Sequence, residues 1–171
     1  MRDDDVLAEF VRDRGAALLK HATLLTGSRR GAEDLVQDAL VKVFASRHGR
    51  VRDIDSLEAY VRRTILTIFL DSYRRHRRWV KVRHLLVDPD EGRSDDEVAA
   101  SLDVTAALRT LSPRERACVV LRFYEDLTVP QIAAELGLAQ GTVKRYLSDA
   151  GHALAAELRP SPTTHETEVL P

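Results

Sequence analysis

Residues 131–147 read Gln-Ile-Ala-Ala-Glu-Leu-Gly-Leu-Ala-Gln-Gly-Thr-Val-Lys-Arg-Tyr-Leu. Two helices that cross closely need a small residue at the crossing, and Ala133 supplies it. Four positions on, the first helix needs a residue tolerant of positive φ to end it, and Gly137 stands there. Six further on, Val143 offers a β-branched side chain to pin the second helix, while Ile132, Leu136, Leu138 and Leu147 complete a small core. Each position has a steric reason, and the spacing predicts a helix-turn-helix. Its second helix would lie in a DNA major groove, presenting Gln140, Thr142, Lys144, Arg145 and Ser148. A plain helical hairpin with a glycine turn is the alternative the same residues allow.

The flanks carry further helix starts. Ser112-Pro113-Arg114-Glu115 combines an N-cap, a proline at the first helical position and the reciprocal glutamate. Cys118, Leu121 and Val119 then face a core. Thr128-Val-Pro-Gln131 opens another helix, and a last one runs from Gln140 to Leu158. Beyond it, residues 159–171 hold three prolines and no periodicity, and are expected to be disordered.

Upstream the pattern is again helical. Val6, Phe10, Ala17, His21 and Leu25 fall on one face, with Gly27 as the stop. Ala32, Leu35, Val36, Ala39, Leu40 and Val43 follow the i, i+3, i+4, i+7 rule, which puts Asp34, Gln37, Asp38, Val41 and Lys42 on the opposite face. A polar stretch, 46–53, breaks the pattern. Asp55 with Glu58 reads as a capping box for a third long helix through Leu57, Val61, Ile65 and Ile68, which leaves its core at Arg74-Arg-His-Arg-Arg78.

Composition excludes several classes. The 171 residues are 44% hydrophobic, enough for one domain or two small ones and too many for wholesale disorder. With only 5% aromatics, 8 Gly and 6 Pro, a β-sandwich or barrel lacks its turn residues. No run approaches a membrane span, and residues 1–5 are acidic where an export signal would be basic, so a cytoplasmic chain is expected. A lone Cys118 excludes an internal disulfide framework and a multi-cysteine zinc site.

The net charge is only −1, yet it is segregated. Residues 47–83 hold eleven Lys/Arg against four acids, a net of +7, whereas 88–97 hold six acids against one Arg, a net of −5. The basic block can grip a polyanion that the rest of the chain does not attract. Phe69, Tyr73 and Trp79 interleave with its arginines, a mixture suited to single-stranded nucleic acid. Phe69 and half of Tyr73 also suit a core, and Trp79 suits a packing lid as well as a wedge. The acidic 88–97 stretch, with Pro and Gly, reads as a flexible linker. The fold class is therefore all-α: two small helical modules on an acidic tether.

These modules, in this order, resemble the sigma-70 family, specifically its compact extracytoplasmic-function group, close to the actinobacterial sigma-E-like members. Residues 32–44 look like the helix that docks on the β′ clamp of RNA polymerase. Residues 59–78 resemble the helix that recognises and melts the promoter −10 element. Residues 111–133 are close to the entry of domain 4, and Gly141-Thr-Val-Lys-Arg145 follows inside its −35 reading helix. The resemblance spans residues 5–158. It implies domain 2 over 5–82, a linker over 83–103 and domain 4 over 104–158.

By position, the resemblance implies a clamp contact through Asp34, Leu35, Gln37, Asp38 and Val41. The 46–56 loop, with Arg47, His48, Arg50 and Arg52, would take a flipped −10 base. Arg62, Arg63, Arg74, Arg75, Arg77 and Arg78 would hold backbone beside Asp71 and Trp79. Lys144, Arg145 and Ser148 would read the −35 element, with Gln140 and Thr142 near its phosphates. The implied partners are core RNA polymerase (β′ clamp and β flap) and promoter DNA, with an anti-sigma factor as a further candidate. No cofactor or metal is implied, and no membrane insertion.

The chain departs from the family pattern at Thr67, where Asn is common, and at Tyr146, Asp149 and Gly151, where many relatives carry Arg. Fewer cations, and Asp149 near phosphates, predict a weaker non-specific grip. Ala139 replaces the usual Ser/Thr cap. A free-standing helix-turn-helix repressor would leave the basic first module unexplained. A nucleic-acid enzyme would need ligand-spaced histidines or a phosphate-cradling glycine loop, and the chain has neither.

Overall fold

The computed structural model describes residues 3–46, 54–83 and 102–157. Arg47, His48, Arg50 and Arg52 of the 46–56 loop, the acidic 88–97 stretch and the 159–171 tail lie outside the described residues.

Three long helices form the first module: α1 (Asp3–Thr26), α2 (Arg29–Ser46) and α3 (Ile54–Arg83). Gly27, at φ +74°, turns the chain from α1 into α2, and its N–H donates to the Thr23 carbonyl at 2.8 Å. Most of the periodic positions go inward, while Val6, Ala17, Val36, Leu40 and Ile68 are only partly buried. Phe10, Leu18, Leu25, Ala32, Leu35, Ala39, Val43, Leu57, Val61 and Ile65 are all buried. Each large aliphatic or aromatic side chain among them contributes about 1.5–3 kcal/mol through burial. Past Phe69 the apolar stripe of α3 ends, and residues 72–79 are all exposed. The Asp55/Glu58 pair serves differently from the capping box expected of it. Asp55 lies inside the first turn of α3 and takes Arg14 at 2.8 Å, while Glu58 takes Arg14 at 3.2 Å and Arg62 at 2.7 Å.

The second module holds α4 (Leu102–Arg109), α5 (Pro113–Val119), a π-helical turn at Val120–Tyr124, α6 (Val129–Leu136) and α7 (Gln140–Glu157). Two capping boxes form here: Ser112 with Glu115 and Thr128 with Gln131, each with a proline in the first turn. Gly137 ends α6 in the left-handed region (φ +63°), and the Leu138 N–H closes back on the Ala133 carbonyl at 2.9 Å. Ile132, Ala133 and Val143 are buried where the helix-turn-helix spacing requires apolar contact. Eight-residue α4 was not read from the sequence: it follows directly on the acidic stretch and is too short to show a full apolar repeat.

No strand occurs among the described residues, and the fold is all-α with two helical groups. The two helical groups also share apolar contacts. A single apolar core runs from Phe10 and Ile65 through Cys118, Leu121, Ile132 and Val143. Leu24 of α1 also packs in the smaller cluster of Leu108, Leu111, Val119 and Ala150. The second half of α1 is apolar on two sides, one serving α2 and α3 and the other serving the second module. Arg116 Nη1 adds a hydrogen bond to the Leu25 carbonyl at 2.7 Å across the junction.

Candidate polymerase and nucleic-acid interface

Three surfaces hold the residues singled out from the sequence. On α2, the i, i+3, i+4 rule that buries Ala32, Leu35, Ala39 and Val43 turns Asp34, Gln37, Asp38 and Val41 outward. Val41 is 62% exposed, a large apolar side chain left bare beside two carboxylates. Leu35 is only 7% exposed and belongs to the core beneath that face. Its place in the apolar stripe already indicates this, so it supports the surface without forming it. A groove of ≈ 550 Å³ between α1 and α2, walled by Val11, Leu19, Val36, Leu40 and Phe44, opens next to Gln37 and Val41.

On α3 the basic block divides. Arg74, Arg75, Arg77 and Arg78 project from the exposed C-terminal half of the helix. Arg74 stays within 3.9 Å of Asp71, and both side chains are about half exposed. Trp79 is 66% exposed and Tyr73 41%, so Trp79 covers no core, whereas Phe69 is buried as an ordinary core side chain.

Arg62 and Arg63 are placed otherwise. Arg62, expected on a DNA backbone, is half-buried against the second module, paired with Glu58 and with Glu125. Its guanidinium sits 5.7 Å from the centre of the Tyr124 ring. Burial alone would lower its pKa, but the hydrogen bonds and charges of Glu58 and Glu125 outweigh that and raise it. Arg63 remains mostly exposed and reaches Glu135 of α6 at 3.5 Å.

Glu125 and its partners were missed by sequence reasoning. His21, buried on α1 as its apolar face predicts, puts Nδ1 2.8 Å from Glu125 Oε1, close enough to pair but out of line for a directed hydrogen bond. Burial pushes the Glu125 pKa up, and His21 and Arg62 more than reverse this, holding the carboxyl below its ordinary range. No local signal could have revealed the group, because Arg62 and Glu125 are 63 positions apart.

On α7, Gln140, Lys144, Arg145 and Ser148 are exposed and Thr142 is partly so, on the face opposite Val143 and Ala150. The Arg145 guanidinium lies 5.4 Å from the Tyr146 ring centre, which leans it along the helix surface. The first turn of α7 has no side-chain cap. The Ala139 carbonyl instead accepts from Thr142 and Val143 at 3.0 and 3.1 Å. Among the described residues no cluster of His, Cys, Asp or Glu could hold a metal ion, and no helix is long and apolar enough to cross a membrane. Cys118 is fully buried, and burial pushes its thiol up to about 11, far from a reactive thiolate.

Comparison with known proteins agrees with this arrangement. Residues 10–79 match the sigma-70 region 2 family and residues 91–150 the sigma-70 region 4 family. The RNA polymerase sigma-E factor of Streptomyces avermitilis is 34% identical over 157 residues, covering 88% of this chain and 83% of the relative. The ECF RNA polymerase sigma factor SigL of Mycobacterium tuberculosis is 32% identical over 155 residues, covering 86% and 85%. Among solved structures, the sigma factor RpoE of Bartonella quintana, in complex with the anti-sigma factor NepR, superposes with a TM-score of 0.60 at 26% identity, over 88% of this chain and 96% of that one. With regions 2 and 4 both present, in this order, and relatives alike over most of their length, the chain belongs to the sigma-70 family, in its extracytoplasmic-function group.

Proposed function

We propose that this chain is an alternative sigma factor that docks on core RNA polymerase through the outer face of α2, captures the −10 strand along α3 and reads the −35 duplex with α7. The observation that carries the reading is the coexistence, on one small chain, of an acidic-apolar face, a basic aromatic helix end and an exposed recognition helix. None of the three is explained by the needs of the core. Residues 5–82 would act as domain 2 and 104–158 as domain 4, with 83–103 linking them. The work is done in the cytoplasm of a bacterial cell and involves no catalysis by this chain.

Energetically, base pairs near the start site cost a few kcal/mol to open. Unstacked −10 bases offset that cost by stacking on aromatic side chains, at about 1–3 kcal/mol each. Trp79, exposed and close in sequence to Arg77 and Arg78, suits the wedge role better than the lid. Arg74, Arg75, Arg77 and Arg78 would neutralise phosphates, while Asp34, Gln37, Asp38 and Val41 meet the β′ clamp. At the −35 element, Lys144 and Arg145 would supply base contacts worth about 1–3 kcal/mol each. The β flap and an anti-sigma factor are further partners, the latter supported by the NepR-bound state of the Bartonella relative.

Asp38→Arg tests the docking face. The folded variant should fail to co-purify with core polymerase, and retained binding would reject the assignment. Lys144→Glu and Arg145→Glu should each lose −35-dependent transcription in vitro, and unchanged promoter selectivity would remove α7 from the mechanism.

A further inference from the structure

We propose that the cavity between the C-terminal half of α3 and the start of α5 binds a nucleoside di- or triphosphate, its phosphates on Arg74, Arg77 and Arg114 and its base against Tyr73 and Tyr146. The cavity measures ≈ 430 Å³, within the range of small-ligand sites. Leu70, Tyr73, Arg74 and Arg77 line it from α3, at the i, i+3, i+4, i+7 positions that share one side of a helix. Arg75 and Arg78 belong to the same basic run but do not line it. The second module supplies Ser112 and half-buried Arg114 at the start of α5, and Tyr146 from α7.

Packing thus gathers three guanidinium groups around one cavity. Among the described residues, the carboxylate paired with any of them is that of Asp71, 3.9 Å from Arg74. Like charges held together repel, and a multivalent anion between them offsets the repulsion. The planar fork of arginine matches phosphate oxygens two at a time. Three cations suit a di- or triphosphate better than a single phosphate. The tyrosines add a second chemistry. Tyr73 is 41% exposed and Tyr146 is partly buried, with the Arg145 guanidinium over its ring at 5.4 Å. A bare polyphosphate or a phosphorylated sugar would leave these rings unused, whereas a base stacks on them. Arg74 and Arg77 also stand on −10 phosphates in the promoter reading, so nucleotide and strand draw on the same two cations. Arg114 and Tyr146 belong to the nucleotide alone, and the site does not depend on that reading.

The test is calorimetric titration of the full chain with ATP, GTP and inorganic triphosphate at about 0.15 M salt, where exposed charges more than about 8 Å apart are largely screened. One nucleotide should bind per chain, and inorganic triphosphate at least about 5-fold more weakly, the lower end for one stacked base. Arg114→Gln should lower ATP affinity about 10-fold or more, the scale of one charged hydrogen bond. Arg75→Gln removes the same charge from another side of α3 and should change it less than about 2-fold. Tyr73→Leu should weaken ATP about 5-fold and leave triphosphate unchanged.

A chain that takes a short single-stranded oligodeoxynucleotide but neither ATP nor GTP at millimolar concentration would assign Arg74 and Arg77 to the strand alone and overturn the site. Equal losses in Arg75→Gln and Arg114→Gln, both with native circular dichroism, would show diffuse attraction and overturn it as well. Equal affinity for ATP and triphosphate on the unsubstituted chain would overturn the nucleotide assignment without any variant. Failure of the promoter reading would show separately, as absence of transcription with core polymerase, and would leave these titrations untouched.

Discussion

Gly27 and Gly137 share a left-handed backbone but differ in surroundings. At Gly137 (φ +63°) an added Cβ meets nothing within 4 Å, whereas at Gly27 (φ +74°) it would collide with the Arg109 side chain of the second module. Gly137→Ala should therefore cost only the left-handed penalty of about 1–2 kcal/mol. Gly27→Ala should cost that and also disturb the junction, so its urea midpoint should fall further. Equal midpoints for the two variants would show that Arg109 moves aside freely. At this scale much was legible, because glycine, the caps and the helix-turn-helix spacing act over a few residues. Leu35, named with the clamp-facing residues, is buried, as its position in the apolar stripe already indicates. Arg62 carries the charge and register on α3 of a DNA-facing residue, and in this structure only the distant Glu125 takes it.

Among the elements, α1 and α3 both meet the second module, α1 against α4, α5 and the π-helical turn and α3 against α5. The turn brings Tyr124 and, just after it, Glu125 against α1 and α3. Glu125 pairs with His21 of α1 and Arg62 of α3; Arg62 also pairs with Glu58, and Lys20 lies over the neighbouring Tyr124 ring. Its carboxyl is held below the ordinary range, so its stabilising contribution is complete above the unfolded value of about 4.3 and is lost as pH falls through the lower folded value. At neutral pH, Glu125→Gln should lose about 1–3 kcal/mol of stability, the range for stripping a charged hydrogen bond. The difference from the native chain should shrink as pH drops below about 4, as measured by denaturant unfolding across pH. A difference that stays constant into acid would show that the carboxylate charge contributes nothing. Helix existence was legible for α1, α2, α3, α5, α6 and α7, whose apolar repeats or caps are local. The π-helical turn was not, since one added residue per turn leaves no distinct pattern in five positions.

For the whole molecule, the sequence suggested two modules joined by a charged tether, and the fold has two helical groups on one continuous core. Local periodicity specifies which face of each helix is apolar but not which neighbour covers it, and α1 covers two. The docking face of α2, the basic end of α3 and α7 are all exposed in this arrangement. The most direct test of the sigma assignment is transcription in vitro from a genomic fragment library, with core RNA polymerase and this chain, followed by sequencing of the transcript starts. Start sites that appear only when both are present, each preceded by two shared elements at a fixed separation, are the predicted result. Starts unaffected by the chain, together with tight binding of the chain alone to palindromic duplex, would contradict it.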